Sequence, residues 1–441
     1  MVVIEDVCEL IVDCVNKTAP VFDRVTPYRM IRTTNVRNGR IDLTECRHVE
    51  EATYKTWTRR AQLQVGDVIL TREAPIGEVG FVTEAKGVFL GQRLMQYRAN
   101  PKVLDSRYLL YCFLSPALQH QFGSHEGSGS VVSHIRVGDC FKFKLQLPPL
   151  HVQREIAQTL GALDDRITLL RETTTILEAI AQALFKSWFV DFDPVHAKRQ
   201  GRAPEGMDEA TAALFPDNFE ESELGAVPKG WKLVPFGQLL SHTIGGDWGS
   251  DVADEMNDTR VAIIRGTDIP DLQTNANSRV PVRYTSQKKL AGRRLEDGDL
   301  LLEVSGGSKD QPTGRSLFIS AALLSQFDCP VEPASFCRLM RPVNKKVGML
   351  LAQHLTYIYA QGKTWEYQNQ STGIANFQTT HFLETELVAC PPTDVLKAFA
   401  ETVQPLIARA HLTQIQELAS VRDTLLPRLI SGQLSLAEAV T

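Results

Sequence analysis

Three features are missing from this sequence, and each absence narrows the class of protein. There is no stretch of about 18 uncharged apolar residues, which a membrane-spanning helix would need. The amino terminus, MVVIEDVCELIVDC, carries acids where a signal peptide needs a basic region. The eight cysteines form no C-x-x-C pair, so zinc and disulfide frameworks are not expected. We therefore expect a cytoplasmic protein.

A strong excess of one charge is missing as well. The formal net charge is −5 over 441 residues, with 43% hydrophobic and 22% charged residues. Such a composition suits a chain that buries ordinary cores, and it neither proves nor excludes a nucleic-acid partner. The length predicts two domains of typical size or one repeated plan.

Short segments recur in the same order in both halves of the chain. Five matches in one order favour internal duplication. The matched pairs are MIRTTNV (30–36) with IIRGTDI (263–269), VGDVIL (65–70) with DGDLLL (297–302), PIGEVGFV (75–82) with PTGRSLFI (312–319), RLM (93–95) with RLM (338–340), and Pro148-Pro149 with Pro391-Pro392. Each copy predicts an α/β-like unit of short strands, with one internal helix at 106–122 and at 346–361.

The first Pro-Pro pair precedes the most regular periodicity in the chain. Apolar residues alternate steps of four and three, which predicts one helix over 153–189 in a coiled coil; a buried helix of a globular domain is the alternative. The seam is Ile156, Leu160, Leu163, Ile167, Leu170, Thr174, Leu177, Ala181, Leu184 and Trp188. After the second Pro-Pro pair the pattern is weaker, and Pro405 is expected to break or restart the helix near residue 404.

These patterns predict an α+β fold with a pseudo-twofold internal repeat, in which two long helices form an antiparallel coiled coil and act as a spacer. The connector is predicted to be an ordered segment or a solvated linker. The predicted intervals are a first α/β-like domain at 1–149, a spacer helix at 150–191, a connector at 192–231, a second α/β-like domain at 232–392 and a second helical region at 393–441.

The stretch from LPPLHVQREIAQTLGALDD through ALFKSWFVDFDPV, continued by EGMDEATAALFPDNFEESELGAVPKGW, resembles the central region of type I restriction-modification specificity subunits. The carboxyl-terminal VRDTLLPRLISGQLSL resembles the distal repeat of that region. The resemblance implies a non-catalytic subunit, in the prokaryotic cytoplasm, that recognises a bipartite asymmetric DNA site through two target-recognition domains.

The resemblance also implies partners. It leads us to expect double-stranded DNA, two methyltransferase subunits docked on the helices, and restriction subunits that translocate and cleave DNA in phage defence. S-adenosylmethionine, ATP and Mg²⁺ are expected on those partner subunits, and no cofactor is expected on this chain. A repeat-built protein interaction scaffold without DNA readout is the rival interpretation.

Motifs of catalysis are scarce, as a specificity subunit would require. Neither Pro-Pro pair is followed by an aromatic residue, which an adenine methyltransferase motif would need. Gly362-Lys363-Thr364 ends like a phosphate-binding loop, but Tyr357 stands in the place of its first glycine. We predict no catalytic residue and no metal site.

DNA readout needs Arg, Lys, Asn and Gln side chains that fit base edges, with Ser and Thr to hold phosphates. The first place with this composition is a polar segment that recurs in both copies. Its residues are Arg32, Thr33, Thr34, Asn35, Arg37, Asn38 and Arg40, with Arg265, Thr267 and Asp268 as counterparts. A solvated strand end, with Arg32 and Arg265 in structural ion pairs, is the alternative.

The second place follows the GDVIL and GDLLL strands, and the third is the polar loop after each internal helix. The second contains Arg72 in one copy and Ser305, Gly306, Gly307, Ser308 and Lys309 in the other. The third contains Ser128, Ser130, His134 and Arg136 in one copy and Lys363, Gln368, Asn369, Gln370, Ser371 and Asn376 in the other. Flexible turns or ordinary exposed loops would have the same composition.

Two further sets have open interpretations. Arg93 and Arg338, within the RLM matches, are either salt-bridge partners in strands or readers of DNA. An aromatic cluster near the end of the long helix is either core or a partner-docking surface, and its members are Phe185, Trp188, Phe189 and Phe192.

Overall fold

The protein is described by a computed structural model that covers residues 1–44, 46–124, 134–222, 225–274, 280–308, 311–371, 374–410 and 414–435. Contacts divide the chain into two compact units. Unit 1 contains Met1–Arg166 and Leu418–Thr441, and unit 2 contains Ile167–Glu417. No helix in the described ranges is both long and apolar enough to cross a membrane.

Unit 1 is built on a four-stranded sheet of order β2-β10-β7-β8 and a three-stranded sheet of order β6-β3-β9. Its strands are β1 (Val2–Val3), β2 (Cys8–Asp13), β3 (Arg29–Ile31), β4 (Val36–Arg37), β5 (Arg40–Ile41), β6 (Arg47–His48), β7 (Val68–Arg72), β8 (Ile76–Phe81), β9 (Val88–Leu90), β10 (Leu94–Ala99) and β11 (Lys144–Leu145). Its helices are α1 (Glu51–Trp57), α2 (Ser106–Leu114) and α3 (Pro116–Gly123), followed by the first part of α4 (Leu150–Phe189).

Unit 2 repeats this plan with sheets of order β15-β22-β18-β20 and β17-β16-β21. Its strands are β12 (Phe219–Ser222), β13 (Gly225–Pro228), β14 (Lys232–Pro235), β15 (Leu240–Gly245), β16 (Thr259–Ile264), β17 (Val282–Thr285), β18 (Leu300–Glu303), β19 (Ser305–Gly306), β20 (Ser316–Phe318), β21 (Val331–Pro333), β22 (Cys337–Pro342), β23 (Gln368–Ser371), β24 (Ile374–Phe377) and β25 (Leu387–Cys390). Its helices are α5 (Asp193–Arg199), α6 (Glu209–Ala213), α7 (Ile269–Gln273), α8 (Gln287–Arg293), α9 (Ala321–Leu324), α10 (Lys345–Ala360) and α12 (Thr393–Ala410), with α11 (Thr379–Thr385) before α12 and α13 (Gln414–Ile430) after it.

The two units share one topology, which confirms the predicted duplication and the α+β class. In each three-stranded sheet the central strand pairs in parallel with one neighbour and antiparallel with the other: β3 with β9 and β6, and β16 with β21 and β17. In each four-stranded sheet the strand that follows the Gly-Asp turn pairs with the strand before the internal helix. The two strands of this pair are antiparallel in both units.

The Gly-Asp turns show why these short matches recur. Gly66 and Gly298 have left-handed φ values of +97° and +100°, which glycine adopts without strain. The following aspartates are buried, and each accepts a backbone N–H at 2.7 Å across its turn. Asp67 also accepts both Nε and Nη2 of Arg98 at 2.8 and 2.9 Å, and Asp299 accepts the same pair from Arg341 at 2.9 and 2.8 Å.

This ion pair corrects the RLM match. The strand register pairs Leu94 with Thr71 in unit 1 and Cys337 with Glu303 in unit 2, so Leu94 and Cys337 are equivalent. Arg93 and Arg338 therefore occupy different positions, and the arginine that recurs in the structure is Arg98 with Arg341. A three-letter match was too short to fix the register of the strand.

The internal helix was predicted correctly in the second copy only. It is α10 there, but in the first copy two helices, α2 and α3, replace the continuous helix expected over 106–122. Ser115 is extended with ψ 148° because Pro116, at the first position of α3, disfavours helical geometry in the residue before it.

The long helix α4 is continuous over the predicted stretch, and it has an antiparallel helical partner within each unit. In unit 1, Ile156 lies with Leu429 in one apolar cluster, while Asp164 accepts Arg422 Nη1 at 2.8 Å. In unit 2, Leu177 lines a cavity with Ile407. Further along α4, the rings of Trp188 and Phe399 are 5.8 Å apart. Residue numbers thus rise along α4 while they fall along α12, so these two helices are also antiparallel.

The helix break expected near Pro405 is wrong, because α12 runs through this residue without interruption. Proline removes one helical hydrogen bond, that to the carbonyl oxygen of Glu401. Both Pro405 and Glu401 lie on the exposed side of the helix, where water can satisfy the carbonyl group.

Apart from residues 223–224, which lie outside the described residues, the connector is an ordered segment, the first of its two predicted alternatives. It contains α5, α6 and the β12–β13 hairpin, and its Phe215 and Trp231 are buried in the main core of unit 2. The predicted docking cluster is part of that same core. Phe185, Trp188 and Phe189 are at most 5% exposed, so their side chains cannot form a docking surface, and the core alternative is correct for them.

Phe192, the fourth member of that cluster, is partly buried. It packs edge-on against Trp231, with ring centroids 5.7 Å apart. Its contacts therefore also lie within the core of unit 2, and the docking prediction is not supported for it either.

Candidate nucleic-acid interface

The first predicted place is a tight turn at the end of a parallel strand in each unit. Short 3-10 turns, Thr33–Asn35 and Gly266–Asp268, follow β3 and β16. Asn35 Oδ1 accepts the backbone N–H of Arg32 at 2.9 Å, and Asp268 Oδ2 accepts that of Arg265 at 2.9 Å. Because Asn35 and Asp268 are each 3% exposed, they close the turns from inside. The prediction that Asn35 contacts DNA is therefore wrong.

Arg265 follows the ion-pair alternative. Its Nε and Nη2 donate to the two carboxylate oxygens of Asp268 at 2.9 and 2.7 Å. These hydrogen bonds raise the pKa of the guanidinium and fix its orientation. The residues that the two turns do expose are Thr34 and its counterpart Thr267, while Arg32 and Thr33 are partly buried and remain predictions as DNA contacts.

The rest of the first segment is a hairpin of β4 and β5. Asn38 and Gly39 form its two-residue turn with left-handed φ values of 49° and 83°, and the backbone N–H of Asn38 donates to Glu78 Oε2 at 3.1 Å. Arg37 and Asn38 are exposed. Arg40 instead donates from Nη2 to the backbone oxygen of Asp164 on α4 at 3.3 Å, and burial lowers its pKa. Arg40 is therefore held against α4, and its contact with DNA remains a prediction.

In unit 1 the structure brings the second and third places together. The backbone N–H of Ile135 donates to the carbonyl oxygen of Arg72 at 2.9 Å, and Arg72 Nη1 donates to the carbonyl oxygen of Ile135 at 3.0 Å. His134 and Arg136 thus flank the end of β7. They share with it a polar cavity of about 500 Å³ lined by Asp13, Asn16, Arg72, Glu73, Gln92, Arg93, His134, Arg136 and Val137. Ser128 and Ser130 lie outside the described residues.

In unit 2 the same two places form one small sheet of order β19-β24-β23. Ser305 Oγ donates to Asn376 Oδ1 at 2.8 Å, and Asn376 lies directly opposite Asn369 on the next strand. Asn369 and Asn376 are exposed, so two neighbouring strands of this sheet present amide side chains next to each other. Gln368 is turned the other way, because its Oε1 accepts the N–H of Thr313 at 3.1 Å.

The remaining predicted residues of these two places in unit 2 lie in or near the same small sheet. Gln370 and Ser371 belong to β23, and the N–H of Ser308 donates to the carbonyl oxygen of Gln311 at 2.8 Å. Lys309 lies outside the described residues. Their contacts with DNA remain predictions.

Lys363 departs from its predicted role. Its Nζ lies 2.7 Å from Oε2 of Glu386, a carboxylate that is 1% exposed. Burial by itself would raise the pKa of Glu386, but hydrogen bonds from His354, Lys363 and Tyr367 outweigh it and hold that pKa at about 2. Lys363 is thus the counterion of a buried acid, and the prediction that it contacts DNA is not supported.

Each unit contains an equivalent backbone hydrogen bond at this surface. The N–H of Ile135 donates to the carbonyl oxygen of Arg72 in unit 1, and that of Phe377 donates to Val304 in unit 2. The backbone scaffold is therefore common to both units, whereas the side chains differ. Unit 1 has a cavity lined by Arg72, Arg93 and Arg136, called the basic cavity below, and unit 2 has the exposed amides of Asn369 and Asn376. Sequence reasoning found the loops but missed Asn16 and Gln92, because no motif marks them.

The long helix carries an exposed apolar stripe that the seam analysis also missed. Leu169, Ile176 and Ile180 are 51%, 58% and 43% exposed. They lie one heptad and then one helical turn apart, so they share one side of α4. Within the described ranges, no group of three or more His, Cys, Asp and Glu side chains is placed to hold a metal ion.

Comparisons with known proteins agree on one family. A family model described as the type I restriction modification DNA specificity domain matches residues 1–179. The chain is 24% identical to the type I restriction enzyme MjaIX specificity subunit of Methanocaldococcus jannaschii, over 85% of this chain and 78% of that protein. It is also 24% identical to the HindI specificity subunit of Haemophilus influenzae, over 84% of this chain and 87% of that protein.

Among solved structures, the chain is similar to a type I restriction-modification system S subunit from M. genitalium. The TM-score is 0.48 and the identity 13%, with 97% of this chain and 95% of that chain covered.

Proposed function

We propose that this chain belongs to the type I restriction-modification DNA specificity family and that it selects the DNA target of such a system as a non-catalytic subunit. One observation carries the proposal. Two units of the same topology place the end of the Gly-Asp strand beside the segment that follows the polar loop, and the polar side chains on this common scaffold differ between the units.

A duplicated scaffold with two different surfaces suits a split target whose halves differ in sequence. The cavity of unit 1 offers Arg72, Arg93 and Arg136, and arginine is the side chain that best fits the guanine edge. The surface of unit 2 offers Asn369 and Asn376, and asparagine fits the adenine edge. We propose that each unit reads one half of an asymmetric bipartite site.

The helices supply the second part of the proposal. α4 is one continuous helix of 40 residues that takes part in both units. We propose that its length sets the unspecified gap between the half-sites. The exposed stripe of Leu169, Ile176 and Ile180 is proposed to dock the methyltransferase subunits, because an apolar stripe on a helix gains stability when a partner covers it.

We further propose that two methyltransferase subunits bind one copy of this chain and that restriction subunits join through them. S-adenosylmethionine, ATP and Mg²⁺ are proposed to bind those partners. The division of labour leaves recognition to this chain and chemistry to the complex.

DNA selection by the complex tests the proposal against the scaffold alternative. The co-purified complex of this chain and its methyltransferase subunit is incubated with a library of random duplexes, and the bound fragments are sequenced. We expect one split motif and an affinity that falls steeply with salt, with a slope of log K against log salt near −0.9 per neutralised phosphate. A scaffold would bind the methyltransferase but show neither the motif nor the slope.

A matched pair of variants separates docking from readout. Ile176→Ser is expected to weaken capture of the methyltransferase, whereas Asn376→Ala should leave capture unchanged and weaken only DNA selection. If Ile176→Ser retained full capture of the methyltransferase, the docking surface would be misassigned.

A further inference from the structure

The strand registers reveal an equivalence that the sequence hides. The N–H of Arg72 donates to the carbonyl oxygen of Arg93 at 2.8 Å, and the N–H of Val304 donates to that of Phe336 at 2.8 Å. Leu94 and Cys337, the next residues, are equivalent by their strand pairing. Arg93 and Phe336 therefore occupy the same place in the two units, immediately before β10 and β22.

Both residues face outward beside the loops proposed to read DNA. The side chain of Arg93 is 48% exposed in the rim of the basic cavity, where its Nε lies 3.3 Å from Glu73 Oε2. Its backbone has a left-handed φ of 69°. A residue other than glycine rarely adopts this conformation, and such strained positions cluster at binding sites.

Phe336 is an unusual side chain for a polar surface. It is 64% exposed. Its carbonyl oxygen also accepts the N–H of Ser305 at 3.3 Å, which fixes it next to the Ser305–Asn376 hydrogen bond. An exposed aromatic ring beside hydrogen-bonding amides resembles a contact surface that has both an apolar and a polar part.

From this equivalence we infer that Arg93 and Phe336 are matching specificity-determining residues, one for each half-site. Arg93 donates hydrogen bonds to the O6 and N7 atoms of a guanine, and Phe336 packs on the C5-methyl group of a thymine. These are the base features that a guanidinium and an apolar side chain respectively distinguish in the major groove. The inference rests on the proposed function and adds to it which bases the shared position selects.

Modified bases test this with the unaltered protein. Once the complex of this chain with its methyltransferase has yielded its motif, thymines in the half-site of unit 2 are replaced one at a time by deoxyuridine, which lacks the methyl group. One replacement should weaken binding several-fold. In the half-site of unit 1, one 7-deazaguanine, which lacks the N7 acceptor, should have the same effect.

Variants then connect each base to its residue. Phe336→Ala should bind thymine and deoxyuridine equally, so that the several-fold preference for thymine is lost at that position only. Arg93→Ala should do the same for guanine in the other half-site. Val343→Ala and Lys102→Ala alter exposed residues beyond the opposite ends of β22 and β10, and they should leave the motif unchanged.

The possible results distinguish a failure of the proposed function from a failure of the roles inferred for Arg93 and Phe336. If the unaltered complex selects no motif, the proposed function fails. If it selects a split motif, but one without guanine in the half-site of unit 1 or without thymine in that of unit 2, only this inference fails. The same holds if Phe336→Ala retains the full preference for thymine over deoxyuridine.

Discussion

Glu332 provides a quantitative test of the structure of unit 2. It lies on β21 and is fully buried, and neither of its carboxylate oxygens has a hydrogen-bond partner among the described residues. The equivalent residue in unit 1 is Phe89, since Met30 opposes Phe89 and Ile263 opposes Glu332 in the parallel pairs. An acid thus occupies a place where the other copy has an apolar ring.

Burial is the main reason why the pKa of Glu332 rises to about 7, and the nearby Asp247 raises it further. The surrounding cations lower it less, because Lys289 pairs with Asp247 at 2.9 Å and Arg293 Nε donates to the carbonyl oxygen of Gly245 at 3.0 Å. The folded pKa lies above the ordinary value of 4.5. Ionisation of Glu332 therefore costs no stability below about pH 4.5, and its cost grows until the pH exceeds about 7.

The magnitude follows from the two pKa values. At about 1.4 kcal/mol per pKa unit, ionised Glu332 lowers the free energy of unfolding by about 3 kcal/mol at pH 8.5, and by about 1 kcal/mol at pH 5. Glu332→Gln removes the ionisation at nearly constant volume. The variant should therefore gain about 2 kcal/mol more stability at pH 8.5 than at pH 5, relative to the unaltered chain.

Urea unfolding followed by tryptophan fluorescence measures this difference, since Trp188, Trp231, Trp248 and Trp365 all lie in unit 2. Glu221→Gln, at an exposed glutamate of the same unit, is the control and should have no effect at either pH. A stability change from Glu332→Gln that is independent of pH would refute the reasoning.

Two further predictions concern Lys363 and the long helix. Lys363→Met should lower stability by about 1–3 kcal/mol at neutral pH, because it leaves the buried Glu386 carboxylate with fewer donors. Since the folded pKa of Glu386 is about 2, its contribution is complete above about pH 4.5 and is lost as the pH falls towards 2, so urea unfolding curves of the two proteins should converge in acid. If Lys363→Met weakened DNA binding without changing stability, a DNA contact would be the better assignment. Insertion of one heptad at residue 175 adds about 10 Å to α4. In a map of methylated sites, the gap between the half-sites should lengthen while both halves stay the same. Altered half-sites with an unchanged gap would contradict the role of α4 as a spacer.

The long-range plan of the fold could be predicted from the sequence because it depends on repeated patterns. The seam from Ile156 to Trp188 predicted α4, and the ordered matches predicted the duplication. The connector was left between an ordered segment and a solvated linker, because a stretch rich in acids, Pro and Gly suits both. The aromatic cluster was left between core and docking surface, because hydrophobic side chains such as Phe185 occur in both.

The errors arose where one long-range contact decided the outcome. Lys363 looked like a DNA contact because its partner, Glu386, is distant along the chain and joins it only in the folded core. The RLM match hid the true equivalence of Arg98 and Arg341, which depends on the aspartates that they bind. Asn38-Gly39 was different, since this pair is itself a signal for a hairpin turn and could have been recognised.

The central claim, that this chain selects a split DNA target for a methyltransferase, is tested most directly by a methylation map. The chain is co-expressed with its methyltransferase subunit in a host that lacks adenine methylation, and every newly methylated adenine in the genome is recorded. The account predicts a single motif with two different specified halves separated by a fixed gap. Formation of the complex without new methylation, or methylation of a contiguous motif, would contradict it.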